Sequence, residues 1–480
     1  MFRFALLLML VSTELCASGN PGVRLRLTKT GIDYANKLVL AEIIHELKSL
    51  LIPDQSGHDG HISYTLTSIK VTGLSPPISS ISLVPKKNGF SLAVTKLGMS
   101  IKGNWKVEYK QGFVHIQTSG SVDVSVSGMN LAETASFGID HTGRPSVASS
   151  GCSATVGGVS VSFHGGTAFI VNLFRHTVED KIRDILPSKV CSAVVGVVDK
   201  NAEKSLSTLP VTIQVADRFL VDYRLVASPN ISNSYAEVFD KGEVFWKADL
   251  KEAPFSPQPL PALTDTSRHV YIWMSEYTPN SFLYQAHTHG YLKYNVTKND
   301  LPSDNKSYLN TTCKLKCVGT IIPQIGHKYP NSTVKLGFET MAVPNATMTN
   351  KTLDVNVKSL VTLWAQTPTN TTAFLATLIV NASLTAQPSI KNERLTAVIT
   401  DHTFKLSVVK SAVGQLFPAV YNAVIEGILT IVVIPELNAV AAKGAQLPVV
   451  EGVQFNNTVL LVQPGNLLIG TDLKYKSVQG

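Results

Sequence analysis

Apolar and polar side chains alternate along residues 96–110, KLGMSIKGNWKVEYK. Successive side chains of a β-strand point to opposite faces, so this alternation predicts a strand with one apolar and one exposed face. The exposed face carries Lys96, Lys102, Lys106 and Lys110. The same two-residue period predicts strands over about 62–165 and again over about 315–410. The lysine-bearing strand therefore belongs to a larger sheet in the first half of the chain.

Helical spacing of apolar side chains predicts helices on either side of the first strand region. One stripe runs from Ile32 to Leu50 and ends before Pro53, and a second occupies about 167–204. The second half shows a weaker helix near 267–290, then strands, an apolar helix over about 410–443 and a short strand near 455–462. The order helix, strands, helix thus occurs twice. This order indicates a pseudo-repeat in which curved sheets bury apolar helices and leave an apolar groove.

Two segments divide the chain further. Four prolines within residues 251–265, KEAPFSPQPLPALTD, resist helix formation and favour an extended connector between the repeats. At the start, Arg3 precedes an apolar run that ends in Ala17, Ser18 and Gly19. This pattern is typical of a secretory signal peptide, so residues 1–18 are expected to be removed.

The cysteines agree with secretion. Without Cys16, four cysteines remain, an even number that suits an oxidising compartment. Pairing of near neighbours joins Cys152 with Cys191 and Cys313 with Cys317. The second bridge needs a turn or helix, because four residues of straight strand separate Cα atoms by about 13 Å. Without such a turn, both thiols stay free.

Motifs for N-glycosylation lie only in the second part of the chain, after residue 229. The asparagines concerned are Asn230, Asn295, Asn305, Asn310, Asn331, Asn345, Asn350, Asn370, Asn381 and Asn456. If many carry sugar, the first half of the molecule remains bare for contact with a partner.

Charge in this bare half is concentrated and positive. The whole chain has a net charge of +8, and residues 86–110 alone hold six lysines and one acid: Lys86, Lys87, Lys96, Lys102, Lys106, Lys110 and Glu108. Anionic lipid, polyanionic glycan and nucleic acid are candidate partners, and secretion disfavours nucleic acid. With Trp105 and Tyr109 between them, the lysines could meet phosphates while the aromatic rings meet acyl chains. Alternatively, the lysines only keep an exposed strand soluble and unpaired.

Sequence motifs for catalysis are not found. His45 and Glu46 begin a zincin-like pattern, but Ser49 stands where the second histidine is needed. His58 and His61 lack a third metal ligand nearby and are interpreted as polar loop residues. No nucleophile elbow, P-loop or dinucleotide fingerprint occurs. We therefore expect neither an enzyme nor a metal site.

The mature start, NPGVRLRLTKTGIDYANK, resembles the bactericidal/permeability-increasing protein and lipopolysaccharide-binding protein family. The resemblance continues through ELKSLLIPD, ISSISLVP, IKGNWK, the Cys152 and Cys191 pair, APFSPQPLPA and FPAVYNAVIEGILTIVVIPELN, and spans nearly the whole mature chain. It implies an α+β fold of two pseudo-repeated barrels, each a twisted antiparallel sheet packed on long helices, joined by a central sheet into an elongated boomerang. The implied parts are an N-terminal barrel at 19–235, a proline-rich linker and sheet at 236–266, and a second barrel at 267–480.

The resemblance also implies a function. Lys102, Lys106 and Lys110 fall at or beside the family's basic tip, which engages lipid A phosphates, and Trp105 matches its aromatic residue. Departures from the family pattern are Asn104, Glu108, His58 and His61, which lower the charge of the tip at neutral pH, and the added pair Cys313 and Cys317. We expect a secreted, monomeric, antibacterial protein of innate immunity, released directly or stored in secretory granules, that binds lipopolysaccharide at the bacterial outer membrane. It would need no cofactor and would hold one phospholipid per barrel; the alternative is an extracellular phospholipid carrier or transfer protein.

Overall fold

The computed structural model describes residues 19–475 apart from 167, 264, 416 and 448–452. The predicted signal peptide, residues 1–18, lies outside these residues. Strands and helices of the described chain are numbered below in chain order.

The first half runs from the N-terminus to the central strands. Its strands are β1 (Val23–Thr28), β2 (Gln55–Asp59), β3 (Ile62–Ser75), β4 (Ile78–Val84), β5 (Gly89–Gln111), β6 (Val114–Ile139), β7 (Pro145–Thr155), β8 (Gly158–His164), β9 (Thr212–Ala216), β10 (Phe219–Asp222), β11 (Leu225–Ile231), β12 (Tyr235–Asp240) and β13 (Glu243–Trp246). Its helices are α1 (Lys29–Lys48), α2 (Ala168–Gly196) and α3 (Glu203–Ser207), with a π-helical segment, Val197–Ala202, between the last two.

The second half has a similar order of elements. Its strands are β14 (Val270–Ser275), β15 (Tyr294–Val296), β16 (Thr333–Thr340), β17 (Asn345–Met348), β18 (Leu353–Gln366), β19 (Thr372–Lys391), β20 (Arg394–Ser411), β21 (Ala445–Gln446), β22 (Val453–Gln463) and β23 (Asn466–Tyr475). Its helices are α4 (Tyr277–Thr288), α5 (Val318–Ile321), α6 (Pro323–Lys328), α7 (Pro418–Ile428) and α8 (Ile434–Lys443), and a π-helical segment, Leu429–Val433, joins the last two.

A long curved sheet forms each barrel. In the N-terminal barrel the strand order is β2-β3-β5-β6-β7, with β4 added to β5 and β8 added to β6. In the C-terminal barrel it is β15-β16-β18-β19-β20-β21, with β17 added to β18. Neighbouring strands are antiparallel, and bulges interrupt the register of β5 and β20. Bulges increase the local twist, which allows these strands to wrap around a helix.

Helix α2 shows why the first sheet must curl. Its buried side chains recur every four residues, and each exposes 3% of its surface or less: Ile170, Phe174, Val178, Ile182, Leu186, Val190 and Val194. A step of four residues advances about 40° around an α-helix, so this apolar stripe spirals along the helix. A flat sheet would leave part of the stripe in water, whereas a strongly twisted sheet follows it. The sequence pattern of α2 therefore favours a barrel.

A central sheet connects the two barrels. Its strand order is β11-β12-β1-β14-β23-β22, so the first and last described strands of the chain lie in one sheet. The buried Arg26 side chain is paired with Glu237 at 2.8 Å and packs over the rings of Tyr235 and Trp273. The predicted fold class, two pseudo-repeated barrels around a central sheet, is confirmed. The predicted domain limits stay predictions, although the central sheet takes strands from outside 236–266.

Both cysteine pairs form disulfide bonds. Cys152 on β7 is joined to Cys191 on α2, with Cα atoms 5.7 Å apart. This bond fixes the central helix of the first barrel to its sheet. Cys313 and Cys317, whose Cα atoms are 6.2 Å apart, are joined across a turn that leads into α5. The turn that the second bridge requires is therefore present, and the alternative of free thiols is wrong.

Some predicted elements differ from the observed ones. The weak helix near 267–290 is split into a buried strand, β14, and the shorter helix α4. Residues 318–328, at the start of the second predicted strand region, form the short helices α5 and α6 instead. Every side chain of β14 is buried, so its apolar run has no two-residue period and cannot be distinguished from a helix by pattern alone.

Candidate functional site: a basic face and an apolar hairpin

Strands β5 and β6 form a hairpin that ends the N-terminal barrel. Their register pairs Lys110 with His115 and Gln111 with Val114. The connecting loop is two residues long and begins with Gly112, whose φ is +60°. A glycine at the first position of a two-residue loop suits the right-handed twist of a hairpin. Because a basic segment flanks this turn, the hairpin presents charge at the end of the barrel.

The outward face of this barrel end is polar and carries both signs of charge. We call it the basic face; its charged residues are Lys70, Lys102, Lys106, Lys110, Glu108 and Asp123. Successive lysines of β5 lie four residues apart, about 13 Å along the strand. The face is therefore a row of separate cations, which suits an extended anionic surface better than a single small anion.

Two of the predicted lysines carry acidic partners. Lys102 Nζ lies 3.6 Å from the Asp123 carboxylate, and Lys110 Nζ lies 2.8 Å from that of Glu108. The Glu108 carboxylate accepts hydrogen bonds from Lys110, Gln117 and His115, which lower its pKa to about 2. In the part of the chain that the structure describes, Lys106 has no acidic partner within 4.0 Å. Lys106 is therefore the lysine of the β5 row that is most available to a ligand.

Lys86, Lys87 and Lys96 do not belong to this face. Lys86 and Lys87 lie in a 3-10 turn before β5, at the end of the strand opposite to Lys110. A strand of 23 residues is about 75 Å long when straight. Lys96 occupies a bulge with a φ of +58° between these ends. The expectation that the lysines crowd toward one tip is wrong for these three, because sequence proximity along a long strand is not proximity in space. Their contact with lipid A stays a prediction.

Trp105 is not a surface residue. Only 2% of its surface is exposed, and its ring packs against Phe163 and Phe174, with centroids 5.6 Å away in both cases. The indole N–H donates to the carbonyl of Ser121 at 3.0 Å. The prediction that Trp105 contacts acyl chains at the tip is wrong. Trp105 belongs to the inward set of alternating side chains, and that set closes the end of the barrel core.

Phe113 is the exposed apolar residue that the sequence analysis missed. Its side chain is fully exposed at the hairpin turn, and Val114 and Ile116 beside it are also exposed. The signal was present in the sequence, since a large apolar side chain directly follows the turn glycine, where polar residues are usual. Exposed apolar side chains next to lysines resemble a membrane-contact tip, with apolar groups for acyl chains and cations for phosphates.

Replacing this ring tests its contact with a bilayer. Phe113→Ala should leave the free energy of unfolding within about 0.5 kcal/mol of wild type, because the side chain packs on little in the protein. Partition onto anionic vesicles should weaken by about tenfold or more, since burying a phenylalanine contributes roughly 1.5–3 kcal/mol. The loss should persist in high salt, measured by vesicle sedimentation. Phe417→Ala, at an exposed site in the other barrel, is the matched control; equal partition of both variants would exclude the contact.

The glycosylation motifs are accessible. Asn305 and Asn310 are half-buried, and the other eight asparagines are exposed. None lies on a strand of the basic face. Attached sugars would thus leave this face uncovered.

Two curled barrels around a shared sheet are the architecture of a family of lipid-binding proteins. Residues 31–209 match the sequence model of the LBP / BPI / CETP family, N-terminal domain, and residues 213–475 match that of its C-terminal domain. The chain belongs to this family, whose members bind lipopolysaccharide and phospholipids.

Relatives match along their whole length. A bactericidal permeability-increasing protein of Sebastes schlegelii is 32% identical over 95% of this chain and 96% of its own length. A lipopolysaccharide-binding protein of Mus musculus is 28% identical over 98% of this chain and 97% of its own length. A crystal structure of lipopolysaccharide binding protein superimposes with a TM-score of 0.66 at 27% identity, covering 96% of this chain and all of the other.

Proposed function

We propose that this protein is secreted and binds lipopolysaccharide of Gram-negative bacteria through the basic face and Phe113. The observation that carries the proposal is the hairpin of β5 and β6, which places Lys106 and exposed Phe113 at the same barrel end. Among the described residues, Lys106 has no acidic partner. Lipid A presents phosphates above a layer of acyl chains, so its recognition requires cations beside an apolar group. The family supports this assignment, because its members bind lipopolysaccharide.

Damage to the outer membrane follows from the same contacts. Divalent cations bridge neighbouring lipid A phosphates, and a row of lysines about 13 Å apart along β5 would compete with them at several headgroups. Insertion of Phe113 would then separate the acyl chains. We propose on this basis that the protein is antibacterial by permeabilising the outer membrane and acts as a monomer in innate immunity. The disulfide bonds and the predicted signal peptide support secretion.

Each barrel also has a place where a helix packs against a strand and both elements expose apolar side chains. We call this place the apolar seam of the barrel, and it could hold a phospholipid. In the first barrel, the Asn36 amide on α1 donates to the Ser79 carbonyl on β4 at 3.2 Å. In the second, the Asn438 oxygen on α8 accepts from the Ile399 N–H on β20 at 2.8 Å. Exposed apolar side chains occur on these same elements: Leu38, Val39, Ile78, Val398, Leu437 and Val440. One acyl chain covering each seam would remove this surface from water, at roughly 0.8 kcal/mol per methylene.

These seams support a second candidate function, that of an extracellular phospholipid carrier or transfer protein. In that case the ion pairs of Lys102 and Lys110 would leave little free charge, and the lysines would serve solubility. The candidates differ in the ligand they select and in their response to salt.

One titration separates them. Purified protein is titrated with lipopolysaccharide and with neutral phosphatidylcholine vesicles, each at low and high salt. Selective binding to lipopolysaccharide that weakens with salt supports the lipopolysaccharide site, because exposed charges are screened beyond about 10 Å at 0.1 M salt. Equal affinity for both lipids that does not change with salt would contradict the lipopolysaccharide site and favour the carrier function. Transfer of labelled phosphatidylcholine between vesicles is the positive measurement for the carrier.

A further inference from the structure

Histidines share the carboxylates of the basic face with its lysines. The His164 Nε2 atom lies 2.9 Å from Asp123 Oδ2, while Lys102 lies on the other carboxylate oxygen. The His115 Nε2 atom contacts Glu108 Oε1, to which Lys110 is also paired. Each carboxylate is thus placed between one lysine and one histidine. The same triad of lysine, carboxylate and histidine occurs twice on one sheet face, at its two ends.

Two more histidines border the face. Nδ1 of His58 lies 3.0 Å from the hydroxyl of Ser63, and Ser63 is paired across the sheet with Glu108. His61 accepts a backbone hydrogen bond from Lys110 at 2.9 Å, and its ring packs edge-on against Tyr109. The face therefore holds four imidazoles, all exposed.

The permanent charges of the face are only modestly positive. It has four lysines and two carboxylates, so its net charge is +2 when the imidazoles are neutral. The hydrogen bond from His164 and the positive charge of Lys102 lower the pKa of Asp123. Glu108, with its pKa lowered to about 2, is likewise ionised at any pH of interest. Among side chains, histidine is the one that ordinarily gains a positive charge as the pH falls from 7.5 to 5.5.

Two acids of the neighbouring elements have partners of their own. The Asp59 carboxylate on β2 accepts from the Thr177 hydroxyl on α2 at 2.6 Å. On α2 itself, which packs on the inner side of the sheet, His176 and Glu179 contact each other at 3.2 Å. Neither acid neutralises the imidazoles of the basic face.

We propose that the basic face is a pH-dependent site for phosphate-bearing lipid, in which His115 and His164 turn two neutral triads into cationic ones as the pH falls. His58 and His61 add to the same change. The inference rests on the proposed function, because it assumes that this face meets lipid phosphates. Its consequence is that binding is weakest at neutral pH and strengthens in acid.

The test uses the full protein with vesicles of phosphatidylglycerol and phosphatidylcholine. Phosphatidylglycerol is the chosen anion because its phosphodiester keeps one charge across the range, whereas the phosphate monoesters of lipid A titrate near pH 6. Binding is measured at low salt at pH 7.5, 6.5 and 5.5. We expect wild type to bind about tenfold to a hundredfold more tightly at pH 5.5, since each added charge near an anionic bilayer contributes roughly fivefold.

The double variant H115Q/H164Q tests whether these two histidines cause the pH dependence of binding. It should lose more than half of the logarithmic increase in binding between pH 7.5 and pH 5.5. The matched control is H45Q/H327Q, which removes two exposed histidines on α1 and α6 and should retain the full increase. Circular dichroism at each pH verifies that all three proteins are folded.

The outcomes separate this inference from the proposed function. Wild-type binding that is equal at all three pH values, or an undiminished increase in H115Q/H164Q, overturns the inference alone. No binding of wild type to anionic vesicles at any pH overturns the proposed function, and the inference with it.

Discussion

The triple variant K102E/K106E/K110E is expected to bind lipopolysaccharide at least about a hundredfold more weakly than wild type. Each substitution replaces a cation by an anion on the same outward row of β5. The row would then repel the phosphates that it attracts, at roughly 1 kcal/mol per charge near an anionic surface before screening by salt. The measurement is a binding titration at low salt, with thermal unfolding as the check of the fold. Stability should change little, because exposed ion pairs such as that of Lys102 contribute only about 0–1 kcal/mol.

The chain offers a matched control for this variant. K86E/K87E/K96E changes the net charge by the same amount, but at the far end of β5 and at its bulge. It should retain most of the binding. If both triple variants lose affinity equally, net charge rather than the basic face governs binding, and the site assignment is wrong. Among single changes, Lys106→Glu should have the largest effect, since Lys106 lacks an acidic partner in the described residues.

Trp105→Ala is expected to destabilise the N-terminal barrel by about 3–5 kcal/mol, as truncation of a buried tryptophan leaves a large cavity. The indole fills the barrel end against Phe163 and Phe174, and a Cβ at Gly166 would lie within 3.0 Å of it. Gly166 also has a φ of +78°, so a larger residue cannot take its place without strain. The variant also removes the hydrogen bond that the indole N–H donates to the Ser121 carbonyl. Denaturant unfolding followed by circular dichroism measures the loss.

Phe113→Ala serves as the contrast for this prediction. Both variants truncate an aromatic side chain of the same hairpin, one inside the barrel and one in water. Destabilisation is expected only for Trp105→Ala, and weaker bilayer binding at unchanged stability only for Phe113→Ala. If Trp105→Ala is as stable as wild type and binds lipid more weakly, the buried role of Trp105 is contradicted. Its side chain would then contact lipid at the surface, as its position in the sequence suggested.

Trp105 and Phe113 show how much of the site can be predicted from the sequence. The alternation around Trp105 correctly assigned it to the apolar face of a strand, yet its position among lysines suggested membrane contact. Period-two alternation separates the two faces of a sheet, but it does not indicate whether the apolar face is covered. That depends on α2, whose Phe174 packs against Trp105 from 69 residues away in the chain. Phe113 lies in the turn beyond the end of β5, where the period-two alternation of the strand assigns a side chain to neither face.

The lysines show a related limit. Lys86 and Lys110 are near in sequence, and the register of β5 places them at opposite ends of a 23-residue strand. Asp123 and His164 are distant from Lys102 in sequence, and strand pairing brings them beside it. Counting charges along the sequence therefore overestimates the free positive charge of the tip. The count does not include acidic partners that lie on neighbouring strands.

By itself, the sequence determined the two pseudo-repeats, the helices that the sheets enclose, the pairing of Cys152 with Cys191 and the strand that carries the lysines. These features follow from local periodicity and spacing, which depend on the chain alone. Tertiary structure decided that β1 and β23 share the central sheet, that Trp105 is buried, and that each triad of the basic face is assembled. All three arise from pairing between residues distant in sequence, where no local pattern records the partner.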